Sequence, residues 1–147
     1  MSLFYYALIS NCTFMGNTAP ILGGAIYNDS ESSPKIVNCI FWGDTADTGD
    51  EIYNEWGAVP YISYSDIEGC GGSGAIWDSL LGIDGGGNID ADPLFQFGTD
   101  YHVQVTSPCV DTGAPQSAPP YFPADDIDGQ HRPHGIYYDM GADEYYQ

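Results

Sequence analysis

Short runs of β-prone residues separated by turn-forming residues fill the first half of the chain. Residues 8–14 and 25–27 are two such runs, and Gly, Asn, Asp, Ser or Pro stand between them. No apolar period of 3.6 residues, the pattern of an amphipathic helix, persists through this half. The pattern therefore predicts an all-β protein built from short strands.

Two motifs recur in the same order at nearly the same spacing. NCTFMGNTA at residues 11–19 matches NCIFWGDTA at 38–46, an offset of 27 residues, and GGAIYN at 23–28 matches GDEIYN at 49–54, an offset of 26. With a constant offset of 27, a weaker third copy of residues 37–40 falls at residues 64–67. A repeat of this length predicts a solenoid, in which each unit stacks on the next.

Short strands that recur once per coil indicate a parallel β-helix, in which equivalent residues of adjacent coils lie about 4.8 Å apart. Cys12 and Cys39 then point inward as neighbouring free thiols, because in-register parallel neighbours seldom offer disulfide geometry. A bridge between them is the alternative, since the four cysteines allow three pairings and two bridges suit a secreted protein. The predicted stacks are Phe14 over Phe41, Ile26 over Ile52 and Tyr27 over Tyr53.

The motifs FMGN at 14–17 and GGAI at 23–26 resemble the FxxN and GGA[ILV] motifs of chlamydial-type polymorphic outer-membrane-protein repeats. The second coil has FWGD at 41–44 and GDEI at 49–52, so it is a degraded copy. The resemblance implies a right-handed parallel β-helix of the pectin-lyase-like superfamily in a secreted or surface-displayed bacterial protein. We therefore expect an extracellular or cell-surface location, with a secretion signal upstream of Met1 in a longer parent chain.

The repeat is lost after about residue 69, which divides the single domain into three parts. Residues 1–69 form the coils, residues 70–92 a glycine-rich excursion, and residues 93–147, with seven of the ten prolines, an irregular C-terminal cap. The motifs NIDADPLF at 88–95, SPCVDTG at 107–113 and DIDGQHRP at 126–133 resemble the C-terminal region of bacterial choice-of-anchor β-helix proteins. We expect the cap to cover the exposed strand edges at the solenoid end.

Charge narrows the choice of partners. With 2 basic and 21 acidic residues, the net charge of −19 argues against nucleic acid, anionic membranes and phosphate-handling enzymes. No apolar run reaches the length of a transmembrane segment. Adaptation to high salt is a further interpretation of the acidity, and it needs no ligand.

Exposed aromatic side chains are the predicted contacts for a polysaccharide or cell-surface glycan. Packing under loops is the alternative for each of them. The candidates are Trp42, Trp56, Tyr61, Tyr64 and Trp77.

No cofactor is required by the sequence, but two Asp-x-Asp loops have ligands suited to Ca²⁺. Asp90 and Asp92 alternate along the chain, as do Asp126 and Asp128, so their carboxylates could converge on one hard cation. The alternative is local capping, in which each carboxylate accepts hydrogen bonds from turn N–H groups.

Catalysis receives little support from the residues. The three histidines, His102, His131 and His134, all lie in the cap, and no nucleophile elbow is present. Carboxylates in the coils are numerous but fall mainly in turns: Asp44, Asp47, Asp50, Glu51 and Asp66. We therefore predict a non-catalytic structural, adhesin-like or glycan-binding module that self-associates through an uncapped N-terminal face. The alternative is the end portion of a polysaccharide hydrolase or lyase whose active site lies upstream.

Overall fold

The computed structural model describes residues 7–97, 100–117 and 122–146. These residues contain a single 3-10 turn at Ser79–Leu81 and nine short strands. Over the same ranges no helix combines the length and apolar character that crossing a membrane requires. The strands are β1 (Leu8–Ser10), β2 (Thr13–Met15), β3 (Ile26–Asn28), β4 (Lys35–Val37), β5 (Ile40–Trp42), β6 (Ile52–Asn54), β7 (Tyr61–Ser63), β8 (Asp66–Ile67) and β9 (Ile83–Asp84).

Each strand of one repeat pairs in parallel with the equivalent strand of the next repeat. The three sheets have the orders β1-β4-β7-β9, β2-β5-β8 and β3-β6. Thr13 is the partner of Ile40, and Ile26 is the partner of Ile52. Consecutive strands along the chain thus belong to different sheets, an arrangement consistent with an all-β parallel solenoid.

The predicted stacks of like side chains are confirmed between the first two coils. The Phe14 and Phe41 rings lie parallel within 3°, with centroids 4.7 Å apart. The Tyr27 and Tyr53 rings stack at 5.8 Å. Phe41 is fully buried and lies in the main core with Phe14 packed against it, so this stack contributes dispersion contacts to the interior.

The third repeat is shifted by one residue from the predicted alignment. Ile40 pairs with Asp66 and Phe41 with Ile67, an offset of 26, so the alignment that starts the third copy at Tyr64 is wrong. A corner residue with left-handed backbone stands between the first two strands of each coil: Asn11, Asn38 and Tyr64, with φ of 51°, 54° and 49°. Retaining this corner keeps the core face of every strand inward, which a one-residue slip would reverse.

The glycine pair of the GGAI motif is explained by close backbone approach. Gly23 has a φ of +62°, and a Cβ on Gly24 would lie 2.1 Å from the backbone oxygen of Asp50. Any side chain at position 24 would collide with the backbone of the second coil, so the two coils can pack this closely only with glycine there.

The main core lies between the three sheets, and the excursion contributes to it. Trp77 is packed against this core and Leu81 is buried in it. Stacking also continues into the excursion, because β9 pairs with β7 and Ile89 bridges Asp66. All four cysteines are free thiols. The fully buried core residues are Ile36, Cys39, Phe41, Ile62, Ile67 and Cys70.

The C-terminal segment, residues 93–146 as far as they are described, packs along the side of the stack. Ile40, on the opposite face of β5 from Phe41, forms a second core with Val103, Cys109 and Met140. The segment also bonds to all three strands of that sheet or their corners. The bonds are Ala142 N to Thr13 Oγ1 (2.9 Å), Ala114 N to Asn38 Oδ1 (2.7 Å) and Cys109 Sγ to Asp66 Oδ2 (3.1 Å).

Candidate functional site

One column of outward-facing side chains crosses the four-stranded sheet, with one residue on each strand. Leu8, Lys35, Tyr61 and Ile83 occupy equivalent positions on β1, β4, β7 and β9. The side chain of Tyr61 is 42% exposed, and the Lys35 Nζ atom lies 5.7 Å from the centroid of its ring. This distance is within the range of a cation–π contact.

A shallow cleft of about 400 Å³ lies over this column. Its walls combine an aromatic ring, apolar groups, a hydroxyl and one ammonium group. Such a surface can stack against a sugar ring and offer hydrogen-bond donors to its hydroxyls. The lining residues are Ser33, Pro34, Lys35, Val59, Tyr61 and Ile83.

The other four aromatic candidates lie elsewhere. Trp56 is 85% exposed, whereas Trp42 is half-buried against the second core. Tyr64 is the half-buried corner residue after β7. Trp77 packs on the main core and donates from Nε1 to the backbone oxygen of Gly82 at 3.0 Å. Of the five candidates, only Tyr61 lies in the cleft over the four-stranded sheet.

Three of the four aspartates predicted to bind Ca²⁺ accept hydrogen bonds from backbone N–H groups of turns. Asp90 accepts the N–H groups of Gly69 and Gly71 at 3.1 and 2.9 Å. Asp92 accepts the N–H group of Leu94 at 2.9 Å, and Asp126 accepts those of residues 128 and 130. Asp92 and Asp126 serve their own turns, whereas Asp90 caps the turn at Gly69 and Gly71, which comes earlier in the chain. The three carboxylates do not converge with one another on a potential metal-binding group within the described ranges.

The fourth, Asp128, belongs to a different group. Its Oδ2 lies 2.9 Å from Nε2 of His102, and the Nδ1 atom of His102 contacts Asp100. The two carboxylates raise the pKa of His102 to about 9, Asp100 having the larger effect. The Asp143 carboxylate adjoins this pair and accepts the Val103 N–H at 3.0 Å. The sequence has no signal that joins His102 to Asp143, because the two lie far apart along the chain.

A buried pair of carboxyl groups lies at the turn between β5 and β6. Asp44 Oδ1 accepts two hydrogen bonds from Asn17, at 2.6 Å from the backbone N and 2.8 Å from Nδ2. Glu51 Oε1 accepts the Asp44 N–H at 3.2 Å. Burial, followed by the neighbouring Asp44 carboxylate, raises the pKa of Glu51 to about 9. Glu51 also lines a cleft of about 370 Å³ with Glu68 and Asp78.

The single arginine is committed to the fold. Arg132 is buried, lies 3.2 Å from the Glu144 carboxylate and donates to the backbone oxygens of Asp139 and Gly141. The second basic side chain of the sequence, Lys35, lies beside the exposed Tyr61 ring.

Comparison with protein families, with curated proteins and with solved structures gave no match.

Proposed function

We propose that this chain is a non-catalytic glycan-binding module, built as a right-handed parallel β-helix, of a secreted or cell-surface bacterial protein. The observation that carries the proposal is the exposed column on the four-stranded sheet, with Tyr61 and Lys35 in contact within one cleft. The three parallel sheets and the resemblance of the repeat motifs support the β-helix.

The position of the cleft suits a polymeric ligand. Equivalent side chains repeat once per coil along the sheet, so the face is elongated in the stacking direction. A polysaccharide also repeats, and one sugar ring over Tyr61 places the flanking sugars over Lys35 and Ile83, with Leu8 one coil beyond Lys35. Exposed apolar side chains in one line favour contact with such a chain over a small solute.

A polysaccharide panel tests this function. Purified protein is incubated with immobilised neutral and acidic polysaccharides, and bound protein is measured beside the release of reducing ends and unsaturated products. The proposal predicts binding to at least one polysaccharide without turnover. Turnover of a bound polysaccharide, or no binding across the panel, would contradict it.

A polysaccharide-degrading enzyme is the second candidate, favoured by the Asp44 and Glu51 pair. A carboxyl group that keeps its proton at neutral pH is what a general acid requires, and Glu51 borders a cleft with two more carboxylates. If this candidate holds, Glu51→Gln abolishes product release while leaving binding unchanged. Glu31→Gln, an exposed change of the same charge, serves as the control.

A further inference from the structure

Three side chains from separate stretches of the C-terminal segment present metal-ligating atoms to one another. They are His102, Asp128 and Asp143, called here the His102 cluster, and one ligand atom of each lies within 4.8 Å of the others. The closest pair, His102 Nε2 and Asp128 Oδ2, is 2.9 Å apart. Two ligand atoms on one tetrahedral zinc ion lie about 3.4 Å apart, given metal–ligand distances of about 2.0–2.2 Å. Small side-chain rotations therefore suffice to admit an ion.

The imidazole is oriented by a fourth residue. Asp100 contacts Nδ1 of His102, and its Oδ1 also accepts the His102 backbone N–H at 3.1 Å. Most histidines that bind metals donate their second ring nitrogen to a carboxylate or carbonyl, which fixes the tautomer and directs the free nitrogen at the ion. Asp100 holds His102 in this way, with Nε2 facing the other two carboxylates.

The His102 imidazole is the one basic side chain in the cluster, and three carboxylates outnumber it. Three carboxylates, those of Asp100, Asp128 and Asp143, surround one imidazole. Arg132 is engaged by Glu144, and Lys35 lies at Tyr61. Asp143 is only 5% exposed, and the Val103 N–H is its one hydrogen-bond donor among the residues that the structure describes. A buried carboxylate so weakly compensated favours a cation beside it.

We propose that the His102 cluster binds one divalent transition-metal ion of the zinc class, with His102 Nε2, Asp128 and Asp143 as ligands. An imidazole nitrogen is a ligand for zinc and similar ions, whereas Ca²⁺ takes six to eight oxygens. Two carboxylates and an imidazole are too few and of the wrong type for Ca²⁺. The Nε2 proton that faces Asp128 leaves to solvent when the ion binds, and a water completes the coordination.

The bound ion would connect three stretches of the segment that packs on the β2-β5-β8 sheet. Residues 100–103, the turn at Asp128 and the stretch around Asp143 already exchange hydrogen bonds, among them Val103 N–H to Asp143 and Ile127 N–H to the backbone oxygen of Ala142. Holding them together stabilises the cover over the second core, where Val103 and Met140 are buried. The role assigned to the ion is therefore structural.

Calorimetric titration of the chelator-treated full chain with ZnCl₂, and separately with CaCl₂, tests the site. We expect one zinc per chain, a higher melting temperature with zinc, and no comparable effect of calcium. His102→Gln removes binding, and Asp100→Asn weakens it about 10- to 100-fold because the imidazole loses its orientation. His131→Gln is the matched control, since His131 is exposed and pairs with Asp125 at 3.7 Å outside the cluster.

Equal zinc affinity in the wild type and His102→Gln would overturn the proposal, as would equal stabilisation by calcium. If the cluster variants do not fold, Co²⁺ bound to the wild type gives the answer instead. Visible absorption bands of a four- or five-coordinate Co²⁺ ion with a nitrogen ligand support the site, and the weak spectrum of hydrated Co²⁺ contradicts it.

Discussion

Glu51 and Asp44 place two carboxyl groups together in the interior of the turn between β5 and β6. Burial disfavours the charged form of Glu51 most strongly, and the neighbouring Asp44 carboxylate disfavours it further. Asp44 has the better hydrogen bonds, with two donors from Asn17 on one oxygen. Glu51 therefore keeps its proton at neutral pH, with a pKa raised to about 9.

This proton makes the stability of the chain depend on pH. In the folded state the pKa of Glu51 is about 9, so the proton is held to that pH, while the unfolded state releases it near the ordinary glutamate pKa of 4.5. The contribution is fully present below pH 4.5 and is lost as the pH rises through 9, so the free energy of unfolding should fall across that window. Asp66, with a pKa raised to about 7 by burial, acts in the same direction.

Glu51→Gln removes this titration while keeping the shape of the side chain. We expect the variant to gain on the wild type as the pH rises from 5 to 9, by at most about 1.4 kcal/mol for each pH unit. Urea unfolding at several pH values measures the difference. Glu31→Gln should run parallel to the wild type, and parallel curves for Glu51→Gln would refute the buried proton.

The roles of single residues were only partly predictable. Capping by Asp92 and Asp126 follows from their place in turns, because a carboxylate two residues before an N–H group readily accepts from it. Asp90 instead accepts the N–H groups of Gly69 and Gly71, a contact between distant parts of the chain that local sequence does not predict. The grouping of His102 with Asp143 depends on how the C-terminal segment packs. No local pattern encodes that packing.

At the scale of the elements, the corner between the first two strands controls register. Asn38 has a φ of 54°, is fully buried and accepts the Ala114 N–H with its side chain at 2.7 Å. Asn11 holds the same conformation in the preceding coil, but its side-chain amide has no partner among the described residues. The two residues share a backbone role and differ in one tertiary hydrogen bond.

Alanine at each corner separates these contributions. Asn11→Ala should cost about 1 kcal/mol, the price of a left-handed backbone without asparagine. Asn38→Ala should cost about 2–4 kcal/mol, because it also leaves the Ala114 N–H unpaired in the interior. Chemical denaturation measures both, and equal losses would show that the bond to Ala114 contributes nothing.

The strands themselves were predictable from the repeat. In-register parallel stacking places identical residues of adjacent coils side by side. A match in the sequence such as Phe14 with Phe41 therefore identifies the paired strand positions directly. The predicted alignment is wrong where the third coil lacks the residues that the first two coils share. Tyr64 takes the place of Asn38 in the third coil, and without the matching letter a constant offset of 27 moved the alignment by one residue.

At the scale of the whole molecule, two surfaces of the stack differ in what packs against them. The outer side of β5 is covered by the C-terminal segment, with Ile40 buried against it. The edge formed by β1, β2 and β3 pairs only on its second-coil side among the described residues. From the sequence we expect this segment at the end of the stack, because an irregular tail is a common cap for a solenoid. Its lateral position rests on long-range contacts such as Ala142 with Thr13.

We predict that the chain self-associates through this edge. The face expected to self-associate extends from Leu3 to Ile9, and its residues 3–6 lie outside the described residues. Ala7 O and Asn11 N both bond to the second coil, so by alternation the Ser10 N–H points away from it. Ser10→Pro should therefore reduce association without breaking a bond within the stack.

Sedimentation velocity across a concentration series measures this association. The wild type should show a concentration-dependent dimer that Ser10→Pro diminishes. A clean monomer at high concentration would contradict the prediction, and an unchanged dimer in Ser10→Pro would place the contact elsewhere.

The most direct test of the central claim compares two tyrosines. Tyr61 and Tyr27 are similarly exposed, at 42% and 44%, but Tyr61 lies in the cleft with Lys35 and Tyr27 lies on the β3-β6 sheet. The polysaccharide bound by the wild type is titrated into Tyr61→Ala and Tyr27→Ala. We predict affinity about tenfold weaker for Tyr61→Ala, a loss of about 1.4 kcal/mol, and unchanged for Tyr27→Ala. Equal affinities for the two variants would contradict a binding face on the four-stranded sheet.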